Sequence, residues 1–308
     1  MILTVTANPA IDRVYFVKDF VMGEVRRPIS MTYSAGGKGL NVARVAKILN
    51  AEVGAMGFVG GYNGEFIKSE VEKLGIINEF TQICGETRNC INISDENGVS
   101  GEILEQGPVI SNEAAECFLK EFEKNIDKYD IIAVSGSLPK GLGSEFYCKM
   151  IRSAKEKNKK IIVDTGGKTL SDVIEAKPYM IKPNKYELSE YLGKEIESFS
   201  DVEDALKALK AKGIEVPLIS LGKDGAMAYI DGKIYKYSIP DISVKNTVGS
   251  GDSTIAGIVT GLDNEMTAVD SIRLGMAAGM ANTQFEQTGL VSQELVEKYY
   301  KEIIVKEC

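Results

Sequence analysis

The second half of the chain alternates short apolar runs with longer segments of helical periodicity, and this alternation limits the possible folds more than any other feature. Apolar runs of strand length occupy Ile131–Ser135, Lys160–Asp164 and Tyr179–Lys182. Such continuously apolar strands are typical of a parallel sheet that is covered on both faces. The intervening patterns predict helices over 112–126, 144–157, 168–176, 184–192 and 200–212. We therefore predict an α/β fold, in which a doubly wound, mostly parallel sheet carries helices on both faces.

Two β-rich stretches in the first half of the chain lie outside this alternation. Residues 12–34 alternate apolar and polar residues in short pieces, and residues 87–106 predict a hairpin around Asn97-Gly98, a dipeptide favoured in type I′ turns. We predict that the two stretches form a small β lid inserted within a single domain of residues 1–308. Toward the C-terminus we predict a second hairpin, Ala226–Ile230 and Lys233–Tyr237, and helices over 252–263, 266–285 and 292–304.

The composition excludes several classes of function. The chain has no histidine, so proton transfer must rest on Asp, Glu, Lys, Tyr or Cys, and Ser-His-Asp or Cys-His catalysis is excluded. The five cysteines are widely spaced without a C-x-x-C pair, which argues against a zinc site or a disulfide framework. A net charge of −8 argues against a nucleic-acid partner. No apolar run is long enough to cross a membrane, and Met1–Ala7 predicts a first strand and not a signal peptide, which indicates a cytoplasmic protein without a membrane partner.

The segment Gly249-Ser-Gly-Asp252 is the strongest candidate for chemistry. Two glycines that flank a serine, followed by an aspartate at the start of a helical pattern, place free backbone N–H groups and a carboxylate at one helix terminus. Phosphoryl transfer needs this pairing, because donors stabilise the charge on the transferred group while a carboxylate takes the proton of the attacking hydroxyl. The alternative is an ordinary helix cap with Asp252 as the cap residue.

A second candidate site follows the strand that ends near Lys182. Asn184 and Glu187 lie one helical turn apart and could hold a hydrated Mg²⁺ ion through water, since Mg²⁺ keeps most of its waters and needs few protein ligands. A capping box, with Asn184 at the N-cap and Glu187 at N3, explains the same residues equally well. Farther along, Ser220–Gly225 could line a nucleotide, although a plain turn is an equal alternative.

A third cluster lies near the N-terminus, where a carboxylate and an amide accompany a glycine pair. Asp12, Gly36, Gly37 and Asn41 could bind the hydroxyl groups of a sugar. The basic side chains of Lys38, Arg26 and Arg88 could neutralise a phosphate on that sugar, and the alternative for each is a solvated surface side chain.

Six motifs in this order resemble the carbohydrate kinases of the phosphofructokinase B group, which have the ribokinase-like fold. The motifs are Thr6–Asp12, Ala35–Ala43, Ser135–Gly141, Lys182–Asn184, Ser220–Gly222 and Thr247–Gly257. The resemblance implies that Asp252 is the base, that Gly249, Ser250 and Gly251 form an anion hole, and that ATP and Mg²⁺ are the cofactors. It also implies a sugar-phosphate site of Asp12, Gly36, Gly37, Lys38, Asn41 and Arg88, joined less securely by Arg26 and Ser137. Nucleotide binding would involve Lys182, Asn184, Glu187, Ser220, Gly222, Gly225, Gly251 and Asn282.

Within the group, four features resemble the kinases of tagatose 6-phosphate: Gly85–Cys90, Glu102–Pro108, Ser250 where alanine is usual, and Gln287–Gly289. We expect phosphorylation at O1, giving tagatose 1,6-bisphosphate. The alternatives are a kinase of fructose 1-phosphate and a sugar-phosphate sensor without catalysis. Apolar residues of the predicted lid (Val14, Phe16, Met31, Tyr33) further suggest a homodimer formed through the lids. A monovalent cation near the last helices is a further candidate cofactor.

Overall fold

The computed structural model describes residues 1–95 and 98–308, which form one large and one small β-sheet with ten helices. The helices are α1 (Lys38–Ile48), α2 (Gly61–Lys73), α3 (Asn112–Asn125), α4 (Glu145–Glu156), α5 (Gly167–Ala176), α6 (Lys185–Leu192), α7 (Phe199–Ala211), α8 (Ser250–Asp263), α9 (Ala268–Asn282) and α10 (Gln293–Glu302). The strands are β1 (Ile2–Thr6), β2 (Ala10–Phe16), β3 (Ser30–Gly36), β4 (Val53–Val59), β5 (Ile77–Asn78), β6 (Thr81–Gln82), β7 (Arg88–Asp95), β8 (Gly98–Leu104), β9 (Ile131–Ser135), β10 (Lys160–Asp164), β11 (Met180–Ile181), β12 (Val216–Ser220), β13 (Ala226–Ile230), β14 (Lys233–Ser238) and β15 (Ile304–Glu307).

The large sheet has the strand order β15-β14-β13-β12-β11-β10-β9-β1-β4-β5, and β6 adds to the end of β4. The strands that lie from β12 to β5 in this order run parallel to one another, whereas β13, β14 and β15 each pair antiparallel with their neighbours. The central strands β1 and β9 are buried along their whole length. This burial explains why their sequences are continuously apolar.

A layer of helices covers each face of the large sheet. Ile2 and Ile131 point into one core with α1, α8, α9 and α10, and Leu3 and Ile132 point into the other core with α3, α4 and α7. Adjacent residues of one strand thus belong to different cores, as the two-residue period of a strand requires. The predicted α/β fold class, with a mostly parallel sheet and a separate small sheet, is confirmed.

The small sheet has the order β3-β2-β7-β8 and lies apart from the large one. Its register places Tyr33 opposite Arg13 and Met31 opposite Tyr15, whereas Val14 and Phe16 lie on the other face with Asp12. The four apolar residues of the predicted lid are therefore divided between two faces. The predicted turn at Asn97-Gly98 falls partly outside the described residues. That this sheet acts as a lid on a single domain stays a prediction.

Some observed elements were not predicted. They are helix α2 and strands β5, β6 and β15, and β11 is shorter than the predicted strand over 179–182. The strands Ile131–Ser135 and Lys160–Asp164 have the predicted bounds. No helix within residues 1–95 and 98–308 is long and apolar enough to span a membrane.

Candidate active site

The carboxyl ends of the parallel strands meet along one edge of the large sheet, where α/β proteins bind their ligands. Strand β9 ends at Ser135 and β10 ends at Asp164, its neighbour in register. Strand β12 ends at Ser220, which forms a parallel bridge with Asn184. The sheet thus brings residues from three predicted motifs to one edge. The start of α8 lies there too, where Asp252 contacts Asn41 of α1.

The start of α8 presents backbone donors that the protein itself does not use. The N-cap is Gly249, which has a left-handed conformation with φ of 81°, and no side chain caps the helix. The Ser250 N–H donates to Thr247 O, but the N–H groups of Gly251 and Asp252 have no acceptor among the described residues. Unpaired N–H groups at a helix N-terminus form a ready site for an anion such as a phosphate.

Asp252 lies in the first turn of α8 and is not the cap residue. Its carboxylate is only 6% exposed and accepts a hydrogen bond of 2.9 Å from Nδ2 of Asn41, on α1. Burial, with a smaller contribution from the charge of Asp164, raises the pKa of Asp252 to about 7 against the opposing effects of the Asn41 hydrogen bond and the nearby ammonium groups. A carboxylate with a pKa near neutrality is suited to take up a proton at physiological pH.

Asp164, which was not predicted as a site residue, lies between two predicted lysines. Its Oδ1 is 3.4 Å from Nζ of Lys182 and its Oδ2 is 3.8 Å from Nζ of Lys38. Lys182 and Asp164 are both buried, whereas the side chain of Lys38 is about half exposed. Asp164 raises the pKa of Lys38 more than any other group does, so this ammonium remains charged. The position of Asp164 at the end of an apolar strand was a signal that could have identified it.

Asn184 and Glu187 form a capping box at the start of α6. Oδ1 of Asn184 accepts from the Glu187 N–H, and Oε2 of Glu187 accepts from the Asn184 N–H. Oε1 of Glu187 has no hydrogen-bond donor among the described residues and faces Gly166, where an added Cβ would lie 3.2 Å away. The donor set fits a magnesium ion held through water, because one carboxylate oxygen stays available beside the edge of the sheet.

The turn after β12 lies next to the Asn184 segment. The Ser220 N–H donates to Pro183 O, which fixes the start of this turn beside α6. Gly222 and Gly225 both have positive φ, and a Cβ at Gly225 would lie 1.8 Å from Tyr237 O. Gly225 is therefore required for the turn itself, and the contact of this segment with a nucleotide stays a prediction.

Asp12 and the glycine pair lie together at the base of the small sheet. A Cβ added to Gly36 would lie 2.2 Å from Cγ of Asp12, so only glycine lets the two strands bring this carboxylate so close to the backbone. Burial raises the pKa of Asp12 to about 6, against the opposing charges of Arg44 and Arg88. The Arg88 guanidinium donates to Asn8 O and Glu105 O, which holds it near Asp12.

Three predicted residues lie in other surroundings. Arg26 is exposed and pairs with Glu24 in the loop between β2 and β3. Ser137 is exposed after Gly136, whose backbone lies near the Lys38 side chain. Asn282 is fully buried: it accepts from Ser253 Oγ and the Gly289 N–H and donates to Val248 O. The binding roles predicted for these residues stay predictions.

The model of one protein family matches nearly the whole chain. This family is described as the pfkB family of carbohydrate kinases, and the match covers residues 4–294. The matched region includes every residue of the candidate site described above.

Solved structures agree with this match over the full length of the chain. A possible phosphofructokinase from Staphylococcus aureus has 32% identity and a TM-score of 0.89, covering 100% of this chain and 99% of its own. A possible 1-phosphofructokinase from Thermotoga maritima has 27% identity and a TM-score of 0.90, with 100% and 99% coverage. Phosphofructokinase-2 from Escherichia coli, in complex with potassium, has 25% identity and a TM-score of 0.90, covering 97% of this chain and 98% of its own.

Proposed function

The chain belongs to the pfkB family of carbohydrate kinases, and from this premise we propose that it transfers the γ-phosphate of ATP to O1 of tagatose 6-phosphate. The product would be tagatose 1,6-bisphosphate. The observation that carries the kinase chemistry is the buried carboxylate of Asp252 beside the unpaired N–H groups at the start of α8. No histidine competes with Asp252 for the role of base.

In the proposed reaction, Asp252 accepts the proton of the C1 hydroxyl as that oxygen attacks the γ-phosphorus. The bond from phosphorus to the β,γ-bridging oxygen breaks, and ADP leaves. The N–H groups of Gly251 and Asp252 donate to the transferred phosphoryl group, where negative charge is stabilised by the helix terminus. The ammonium groups of Lys38 and Lys182 lie close enough to Asp252 to act on its charge.

The metal would be held by water molecules on Asn184 and Glu187. When bound, Mg²⁺ supplies charge neutralisation on the β- and γ-phosphate oxygens. The side chains themselves contribute one available carboxylate oxygen, Oε1 of Glu187, next to the turn at Ser220 that we assign to the nucleotide.

The sugar phosphate would lie between the small sheet and the edge of the large sheet. Asp12, Gly36, Gly37 and Asn41 are placed for its hydroxyl groups, and Lys38 and Arg88 supply the local positive charge that a protein of net charge −8 needs to bind a phosphate. Arg26 and Ser137 could reach it only from more exposed positions. Closure of the small sheet over the sugar would exclude water from the site, as lids do in other kinases.

A kinase of fructose 1-phosphate, acting at O6, is the second candidate. It is favoured by the similarity of the whole chain to the possible 1-phosphofructokinase from Thermotoga maritima. The two reactions would use the same base and the same anion site. They differ in the sugar, since tagatose is the C4 epimer of fructose, and in how the sugar phosphate is oriented between Arg88 and Asp252.

A substrate panel with purified protein, Mg²⁺ and ATP tests the proposal. We expect the highest kcat/KM for tagatose 6-phosphate, with a bisphosphate product identified by ³¹P NMR. Equal or faster turnover of fructose 1-phosphate would establish the second candidate. Tight binding of ATP and sugar phosphate by calorimetry, with no turnover of any sugar, would indicate a sensor.

We also propose that the protein forms a homodimer through the small sheet. One face of this sheet carries Met31 and Tyr33, which are 51% and 45% exposed, and its register adds Ile103 to the same face. Exposed apolar surface of this kind is usually covered by a partner. Phosphofructokinase-2 of Escherichia coli has been described as a tetramer in an inhibited form, which shows that a protein with this fold can assemble.

A further inference from the structure

Helix α1 carries an arginine that the catalytic proposal does not use. Arg44 follows Asn41 by three residues, so both side chains lie on the same side of the helix. Its guanidinium donates to three oxygens: Nη1 lies 3.2 Å from Oδ1 of Asn41 and 3.3 Å from Thr288 O, and Nη2 donates to Ala35 O. Each acceptor comes from a different segment of the chain, so the position of the guanidinium is fixed from three sides.

The contact with Asn41 determines which way its amide faces. A guanidinium has donors only, so it can meet the oxygen of an amide but not its NH2 group. With Oδ1 held by Arg44, the NH2 group of Asn41 points in the opposite direction, where Nδ2 donates to Oδ2 of Asp252 at 2.9 Å. The reverse orientation would place the amide oxygen against the carboxylate of Asp252 and leave the guanidinium facing a donor.

The loop after α9 holds this arrangement in place. Gly289 has φ of 66°, and a Cβ at this position would lie 2.9 Å from Nη1 of Arg44 and 3.0 Å from Oδ1 of Asn41. The backbone of Gly289 therefore packs directly against the two side chains, and its N–H donates to Asn282. The loop, α1 and the start of α8 form one continuous set of contacts.

The charges that face Asp252 come from three other places. Lys38 lies on α1, Asp164 at the end of β10 and Lys182 after β11. Arg44 itself faces Asp12 and Glu70, whose charges act on it. Hydrogen bonds connect Arg44 to Asp252 through the amide of Asn41.

We propose that Arg44 is a positioning residue for phosphoryl transfer, because it holds the Asn41 amide in the orientation that presents its NH2 group to the carboxylate of Asp252. This inference rests on the proposed role of Asp252 as the base. Arg44 does not touch a substrate, and its effect on the reaction passes through one hydrogen bond.

The test measures the ionisation of Asp252 in the free protein and the reaction separately. The Asp252 carboxyl is titrated by ¹³C NMR, with the signal assigned from Asp252→Asn, and kcat/KM is measured against pH. The variants are Arg44→Met, Arg44→Lys, Asn41→Ala and the double variant Arg44→Met with Asn41→Ala. Lys47→Met removes a cation one turn farther along α1 and serves as the matched control.

We expect Arg44→Met to raise the pKa of Asp252 by about one unit. At any pH below that pKa, the fraction of Asp252 that is ionised should then fall by about tenfold. The acidic limb of kcat/KM should move with it. Arg44→Lys should show the same direction of shift, because the compact ammonium cannot reach the three acceptor positions that the planar fork of the guanidinium spans. Asn41→Ala should shift the titration at least as far, and adding Arg44→Met to it should cause no further shift. Lys47→Met should match the wild type.

The proposal is overturned if Arg44→Met lowers only the melting temperature, if the two single shifts add in the double variant, or if Arg44→Lys titrates as the wild type does. Should Arg44→Met fail to fold, Arg44→Lys carries the same test. A wild-type protein that turns over no sugar phosphate, but whose Asp252 titration still responds to Arg44 through Asn41, contradicts the kinase proposal and supports the coupling of the three residues.

Discussion

Asn184 and Glu187 each accept a hydrogen bond from the backbone N–H of the other, at 2.8 Å to Oδ1 and 2.9 Å to Oε2. The sequence left a capping box and a magnesium site as equal alternatives for this pair. The two roles are compatible, since the box uses one of the two carboxylate oxygens of Glu187 and one of the two lone pairs on the single amide oxygen of Asn184. The second oxygen of Glu187, Oε1, faces Gly166.

Glu187→Gln should separate these two roles. Glutamine at N3 can complete a capping box, so the melting temperature should change little. Loss of the negative charge should weaken the water-mediated hold on the metal and lower kcat by about 10–10²-fold at limiting Mg²⁺. Steady-state rates measured across a range of Mg²⁺ concentrations test this, and part of the loss should be recovered at high Mg²⁺.

A second capping box provides the matched control for this variant. Ser198 and Asp201 form the same pair of hydrogen bonds at the start of α7, away from the candidate site. Asp201→Asn should lower the melting temperature slightly and leave kcat and its Mg²⁺ dependence unchanged. An effect of Glu187→Gln no larger than that of Asp201→Asn would argue against the metal role.

The pKa of Asp252 predicts the pH dependence of the reaction. Because a base must be ionised and this carboxyl has a pKa of about 7, kcat/KM should fall about tenfold for each pH unit below neutrality. Asp252→Asn should lower kcat by about 10²–10⁴-fold. A pH profile that is flat between pH 5.5 and pH 8, roughly the range that surrounds this pKa, would exclude Asp252 as the base.

The same pKa predicts an opposite effect on stability. The pKa of Asp252 in the folded state is raised above the value of 3.8 for an unperturbed group. The contribution of Asp252 to the free energy of unfolding is therefore fully present below pH 3.8 and is lost as the pH rises toward 7. Asp252→Asn removes this loss and should raise the melting temperature more at pH 8 than at pH 5. Asp204→Asn, on α7 with a side chain 78% exposed, should show no such difference in thermal scans.

The sequence identified the residues of the site that belong to a local pattern. Gly249 to Asp252 and Asn184 to Glu187 each combine a turn with a helix start, and such combinations are visible within a few residues. Asp164 and Arg44 were missed because their roles depend on partners far along the chain, such as Lys38 and Thr288. Only the alignment of strand ends and the packing of α1 against the loop after α9 bring these partners together.

The fold was predicted in the same way, from patterns that a segment carries by itself. The second hairpin was predicted around the dipeptide Asp231-Gly232, and both residues adopt positive φ in the structure, as a type I′ turn requires. Strand β15 was missed because its sequence has two apolar residues followed by two charged ones, without the alternation typical of a strand, and it becomes a strand only by pairing with β14. Helix α2 begins with Gly61 and contains Gly64, which lowers its intrinsic helix propensity.

Met31→Glu should weaken the proposed dimer. A charge placed in an apolar interface would remain unpaired and desolvated there, so the variant should be monomeric by light scattering after size-exclusion chromatography. Leu74→Glu, at the end of α2 with a similar exposed fraction of 44%, should keep the assembly of the wild type. A wild type that is monomeric at micromolar concentration, or a Met31→Glu variant that remains a dimer, would contradict the proposed interface.

Gly249→Ala should test the anion site at the start of α8 without changing any charge. Alanine is strained at φ of 81°, which costs about 1–2 kcal/mol, and its Cβ would lie 2.5 Å from Cγ2 of Thr288. The loop must shift to relieve this contact, which moves the N–H groups away from the transferred phosphoryl group, so kcat should fall by about 10²–10³-fold. Gly232→Ala imposes similar strain at φ of 86° in a hairpin turn, where nothing lies within 4 Å of an added Cβ. That variant should lose stability but keep its kcat. Equal activity losses in the two variants would mean that backbone strain, and not the position of the Gly249 loop, limits the reaction.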